Sequence, residues 1–175
     1  MIPVAGSPEL RPSPDRVRET LFNWLSHLRQ LSGPDGVRGL DLFAGTGALG
    51  FELASRGARS VLLVERDPNL ARGLVALRER LGAAEVEVVR GDAFEVGRRL
   101  EPAAFDLIFL DPPFGAPLLR PALELARGLL APDGIVYAEA PAALSENDLQ
   151  RLGLVQIRHG RAGRVHFHLL GLQQS

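Results

Sequence analysis

The 175 residues fit one domain, and 46% hydrophobic with 23% charged residues is the composition of an ordinary globular chain, which excludes a disordered or fibrous protein. A formal charge of −1 gives no overall positive field, so any nucleic-acid contact must come from a local patch, and the lack of cysteine excludes disulfides, thiolate metal sites and cysteine nucleophiles. No apolar run approaches the roughly 20 residues of a membrane span, and Pro3, Pro8, Pro12 and Pro14 stand where a signal-peptide core would be, so a cytoplasmic protein with no membrane partner is expected.

All 20 basic residues are arginine, a usage that fits a GC-rich genome and also supplies planar, always-charged donors. Residues 1–12 have no hydrophobic period and are expected to form an extended N-terminal arm. An N-terminal helix is expected over 13–31, with Ser13 as N-cap, Pro14 at the first position, and Val17, Leu21, Trp24, Leu25 and Leu28 on one face. Past a turn at 33–36, residues 37–43 read as a buried strand. The glycine loop GTGALG (45–50) follows, then a helix to Arg56 stopped by Gly57.

Residues 60–64 read as a second strand. Asp67 caps the next helix with Pro68 at its first position, Leu70, Leu74, Leu77 and Leu81 form its expected core stripe, and Gly82 closes it. A third strand over 86–89 leads to Gly91 and Asp92 and a short helix through Leu100; a fourth over 106–110 runs into the tetrad DPPF. A helix over 118–130 and the turn APDG deliver a fifth strand at 135–139. Ser145 with Asp148 forms a capping box for a last helix. Strands over 154–158 and 164–170, joined by HGRAG, must then pair as an antiparallel hairpin.

Strands alternating with helices predict a mostly parallel sheet with both faces covered. Five parallel strands that finish in a hairpin point to a Rossmann-like α/β domain of the class I methyltransferase type: a seven-stranded mostly parallel sheet, an antiparallel C-terminal hairpin, and helices on both faces. One domain spans 1–175.

Gly45, Gly47 and Gly50 match GxGxxG, where missing Cβ atoms allow a tight turn and a close ligand. A merely tight strand–helix turn is the alternative. Glu65, at the end of the second strand, can accept from both ribose hydroxyls of a nucleotide, which suits NAD and S-adenosylmethionine equally. Asp41 lies in an apolar strand, where an unpaired carboxylate is costly, so it is expected to meet a cation such as a methionine amino group; an internal salt bridge is the other reading. Asp92 can accept from an adenine amine, with Ala93 and Phe94 adding a backbone N–H and an apolar contact, or can simply cap a helix. Acids ending strands one, two and three favour S-adenosylmethionine over NAD.

DPPF alone could be a rigid turn. At the end of the fourth strand, where open α/β sheets bind ligands, it suits a different task. The lone pair of a nucleobase amine is delocalised, so both N–H groups must be held to aim it at the methyl. Asp111 and the Pro112 carbonyl supply two acceptors, Pro113 has no competing N–H, and Phe114 can stack on the base. Asp111 also favours the cationic transition state and can take the proton.

RPSPDRVRETLFNWL, LDLFAGTGALGFELASRGA, VERD, FDLIFLDPPF and IVYAEA together resemble the bacterial 16S ribosomal RNA guanine-N2 methyltransferase D family, over residues 10–170. The resemblance implies an S-adenosylmethionine-dependent enzyme that methylates the exocyclic amine of one guanine, family position 966, with 16S rRNA or the small-subunit particle as partner. It places the methionine end on Asp41, Gly45 and Gly47, the ribose on Glu65, the adenine side on Asp92 and the target base on DPPF. Phe43, Arg66 and Ala93 are counted with the cofactor set. No metal is expected, and a monomer is favoured.

The family's N-terminal signature falls on Arg11, Pro12, Asp15, Arg16, Val17, Arg18, Glu19 and Phe22. Arg11, Arg16 and Arg18 are expected to bind phosphates, with Asp15 and Glu19 orienting them or closing the cofactor pocket; solvated helix charges are the alternative. Arg151, Arg158, Arg161 and Arg164 follow Asp148 without a single acid, which makes the C-terminal hairpin a second candidate RNA surface, chiefly through Arg161 and Arg164. His166 and His168 share one face of the last strand and are expected to be solvated. Family members usually carry a basic, Gly-rich segment ahead of this arm, whereas this sequence starts at Met1, through truncation, a misplaced start or a naturally shorter arm; the departure bears on autonomous RNA binding and leaves the cofactor site unaffected. Two alternatives stand beside this reading: amino-group methylation of DNA or protein, and a non-catalytic nucleotide-binding module.

Overall fold

The computed structural model describes residues 14–28, 36–113 and 117–175. The expected arm, the Ser13 cap, Arg11, Phe114 and the start of the turn at 33–36 lie outside the described residues. The chain order is α1 (Pro14–Leu28), β1 (Arg38–Asp41), α2 (Ala48–Ser55), β2 (Ser60–Glu65), α3 (Pro68–Leu81), β3 (Val86–Arg90), α4 (Ala93–Gly97), β4 (Phe105–Leu110), α5 (Leu119–Leu129), β5 (Leu130–Ala140), α6 (Glu146–Arg151), β6 (Leu154–Ala162) and β7 (Val165–Leu172).

All seven strands join one sheet in the order β3-β2-β1-β4-β5-β7-β6. The first five are parallel, and β7 runs antiparallel to both β5 and β6. The fold is therefore the expected class I methyltransferase sheet. The chain builds outward from β1 to β3, then returns to place β4 on the other side of β1. That reversal opens a crevice at the carboxyl ends of β1 and β4, where ligands of such sheets bind.

Alternate residues of the central strands feed two apolar layers. Leu63, Leu107, Phe109, Tyr137 and Leu169 pack under α1, α2 and α3, while Leu40, Ile108, Leu110, Val136 and Leu170 pack against α4, α5 and α6. Burial on both faces explains why these strands read as continuous apolar runs; each wholly buried side chain contributes about 1.5–3 kcal/mol. In α1, Val17, Leu21, Phe22 and Leu25 face the sheet, and Trp24 lies against Phe167 of β7 with ring centroids 5.2 Å apart.

Capping follows the sequence. Asp67 accepts from the Asn69 and Leu70 N–H groups, Gly82 closes α3 at φ 62°, and Ser145 Oγ accepts from the Asp148 N–H while donating to its carboxylate.

Four expectations need correction. The buried stripe of α3 is Ala71 and Leu74, with Leu77 partly buried; Leu70 and Leu81 are exposed, because the helix lies across the sheet on its 71/74 edge. The residues of APDG do not precede the fifth strand: β5 already begins at Leu130, paired with Phe105, and 131–134 are extruded before pairing resumes at Leu107 and Ile135. The hairpin is longer than expected. HGRA belongs to β6, Ala162 pairs with Val165, and only Gly163 and Arg164 turn the chain, with Gly163 at φ 59°.

His168, finally, is not solvated. It is fully buried on the α6 side of β7, where its Nε2 accepts the Leu144 N–H at 3.2 Å and its Nδ1 lies 3.3 Å from the Ala138 carbonyl. Those two contacts fit only the neutral Nδ1–H tautomer.

Candidate active site

A cleft of about 800 Å³ opens at the carboxyl ends of β1 to β5, as the strand order requires. One half is built by the glycine loop and the three strand-terminal acids. Gly47 caps α2 at φ 82°, and a Cβ there would lie 2.6 Å from Leu74 Cδ2 and 2.7 Å from the Phe51 ring, so only glycine fits. Gly45 also has positive φ, at 57°.

Glu65 ties this loop to β2. Its Oε2 accepts the Gly45 N–H at 2.7 Å and its Oε1 the Asp67 N–H at 2.9 Å, which fixes the carboxylate at the cleft wall and leaves each oxygen a further lone pair. Asp92 caps α4 through Oδ1 alone, which accepts from Phe94 and Glu95, so Oδ2 stays available to a ligand. Capping and ligand binding are therefore compatible. Ala93 is buried beside it, and Phe43 and Phe94 meet edge-on at 6.3 Å on the same wall. Arg66 stands exposed at the rim.

Asp41 is buried and lines the cleft. Burial pushes its carboxyl up to about 7; the Phe43 N–H works against this, and the charges of Glu65 and Glu139 add to it. Among the described residues no cation pairs with Asp41, so the internal salt bridge is absent there, and the side chain lines the cleft.

The other half begins where β4 ends. Asp111 is half-buried and lines the cleft, Pro112 is buried, and Pro113 is exposed at the cleft mouth. Beside them, β5 contributes two residues that sequence reasoning did not single out. Tyr137 is fully buried and donates its hydroxyl to Glu139 Oε1 at 2.6 Å. Burial, with the charges of Glu139 and Asp111, drives the tyrosine far above its ordinary range and keeps it a donor. The signal was present in IVYAEA, whose alternation puts Tyr137 and Glu139 on one strand face.

Six carboxylates, Asp41, Glu65, Asp67, Asp92, Asp111 and Glu139, thus line one cleft together with Arg18 and Arg66. Such a balance favours a ligand carrying positive charge.

The candidate RNA-binding arginines divide. Arg18 is half-buried on the cleft wall and bonds Asp15 at 2.6 Å, so it belongs to the pocket as much as to the surface. Arg16 is exposed and does not line the cleft. Arg161 Nε donates to the Gly163 carbonyl at 2.8 Å, which braces the hairpin turn, and Arg164 is exposed within that turn. Val17 and Val165 both line the cleft, so α1 and the turn end of the hairpin form one rim.

Residues 1–171 match the family described as Conserved hypothetical protein 95. The chain is 38% identical over 142 residues to the Ribosomal RNA small subunit methyltransferase D of Escherichia coli K12, covering 79% of this chain and 68% of that protein. It is 37% identical over 144 residues to the protein of the same name from Haemophilus influenzae, covering 79% and 72%. Among solved structures, yhhF of Escherichia coli superposes with a TM-score of 0.78 at 30% identity, over 93% of this chain and 89% of that one. By its cleft, its sheet and these matches, the chain belongs to the Conserved hypothetical protein 95 family, that of the small-subunit ribosomal RNA methyltransferases D.

Proposed function

We propose that this protein transfers a methyl group from S-adenosylmethionine to the exocyclic N2 of a guanine in small-subunit ribosomal RNA. The observation that carries the reading is the meeting, at the ends of β1 and β4, of an acid-lined pocket with the Asp111-Pro112-Pro113 turn. Ribosomal RNA as the acceptor rests on the names of the relatives at 37–38% identity.

The pocket fits the cofactor on its own chemistry. A buried carboxylate without a cationic partner among the described residues suits an ammonium, Glu65 offers lone pairs to a diol, and Asp92 Oδ2 with the Phe43 and Phe94 rings suits an adenine. When bound, the cofactor supplies a methyl on a sulfonium, an electrophile whose C–S bond breaks as nitrogen attacks and returns its electrons to sulfur.

This chain's residues position the attacking amine. Asp111 and the Pro112 carbonyl accept its two N–H bonds and turn the nitrogen lone pair toward the methyl. Asp111 stabilises the positive charge that develops on nitrogen and accepts the proton released afterwards. Arg18, at the shared rim of α1 and the hairpin, and Arg161 and Arg164 of the hairpin hold phosphates. The test is methyl-label transfer from S-adenosylmethionine into 16S RNA, small-subunit particles, DNA and protein, followed by nucleoside mass analysis. N2-methylguanine in the RNA or the particle is expected; label only in DNA or protein rejects the RNA assignment.

A further inference from the structure

We infer that Glu139 is a specificity residue that reads the N1–H of the target guanine, next to the amine held by Asp111; the inference rests on the guanine reading above. Leu110 of β4 pairs with Ala138 of β5, so one step further along the two strands come Asp111 and Glu139, and both line the cleft. Along the sheet edge, Asp92 follows β3, Glu65 and Asp41 end β2 and β1, Asp111 follows β4, and Glu139 is near the end of β5. Glu139 therefore lies beyond Asp111 from the cofactor half, on the side where an acceptor base must enter.

Its carboxylate is held. Tyr137, buried in the sheet layer below, donates to Oε1 at 2.6 Å, which anchors one oxygen and leaves Oε2 as an acceptor in the cleft. An ionised carboxylate can only accept hydrogen bonds. That limit separates the nucleobases. One of the two ring positions beside the exocyclic amine of guanine is a donor, N1–H, whereas adenine and cytosine present only a lone pair or a carbon beside theirs. A fixed acceptor one strand over from the amine-gripping turn binds the first edge and repels the other two. Asp111 and the Pro112 carbonyl grip any planar amine; Glu139 selects which one.

The test uses reassembled small-subunit particles in which the mapped target guanine is kept or replaced by 2-aminopurine, which retains the amine at C2 but has a lone pair at N1. The wild-type enzyme should prefer guanine by more than about tenfold in kcat/KM, the range of a hydrogen bond to a charged group. Glu139→Gln keeps an acceptor for Tyr137 and adds a donor, and it should bring the two substrates within about threefold of each other. Equal losses on both substrates, or an unchanged ratio, would overturn the role of Glu139 while leaving guanine methylation intact. A wild-type enzyme that methylates no guanine in the particle would remove the functional reading and this inference with it.

Discussion

Glu65 holds Gly45: the last residue of β2 accepts the N–H of the first loop glycine at 2.7 Å, and the same carboxylate accepts the Asp67 N–H at the start of α3. One side chain thus joins two loops of the cofactor half. Glu65→Ala leaves two backbone donors without that acceptor and removes the proposed ribose contact. It should weaken S-adenosylmethionine by at least about tenfold and lower stability by about 1–3 kcal/mol. Calorimetric titration and urea unfolding measure the two effects separately. Glu65→Gln, which accepts only one such bond, should fall between.

Asp41 sets a pH dependence with a definite sign. Its folded value of about 7 lies above the ordinary 3.8, so its contribution to ligand-free stability is present below the lower value and is lost as pH rises through the upper one. The proposed ammonium contact needs the ionised form. Cofactor affinity should therefore rise with pH up to about 7, by as much as roughly tenfold per unit below it, with release of a proton on binding. Titration in two buffers of different ionisation heat counts that proton. Asp41→Asn should abolish the proton release, weaken binding by at least about tenfold and raise the melting temperature of the ligand-free protein at pH 8.

His168 works in the opposite direction. Burial first, then the neighbouring His159 and His166, lowers it to about 4, against the hydrogen bond to the Ala138 carbonyl. The unfolded chain binds the proton more readily, so this contribution to stability is present above 6.5 and is lost as pH falls toward 4. Urea midpoints should drop between pH 7 and 4.5, and His168→Gln, which can still accept the Leu144 N–H, should flatten that drop.

The hairpin arginines give a prediction about RNA alone. Arg161→Glu with Arg164→Glu, both exposed at the turn, should weaken binding to 16S RNA by roughly tenfold or more and reduce its salt dependence. S-adenosylmethionine affinity should be unchanged. Filter binding across a salt series, beside calorimetry with the cofactor, checks both halves.

The sheet was legible because β2 and β4 are apolar on both faces and the elements are punctuated by glycine, proline and capping acids. The strand-terminal acids were legible for a related reason: a carboxylate that ends an apolar run is costly unless it meets a backbone donor, a cation or a ligand. What local pattern concealed was tertiary. Leu70 has the spacing of a core residue, yet it is exposed and lines the cleft, because the orientation of α3 is set by Ala71 and Leu74. His168 alternates with its neighbours like a solvent-facing residue, yet Leu144, far from it in sequence, covers it. Glu139 reads as an ordinary polar residue in a strand until Tyr137 and Asp111 are found beside it in the cleft.

The central claim is that the turn after β4 grips the acceptor amine while the cofactor is held elsewhere. Single-turnover methyl transfer to small-subunit particles by Asp111→Ala, with S-adenosylmethionine affinity measured in parallel, tests it most directly. The rate should fall by about 100-fold or more while cofactor affinity stays within about threefold of the wild type. An unchanged rate, or a loss explained entirely by weaker cofactor binding, would contradict the account.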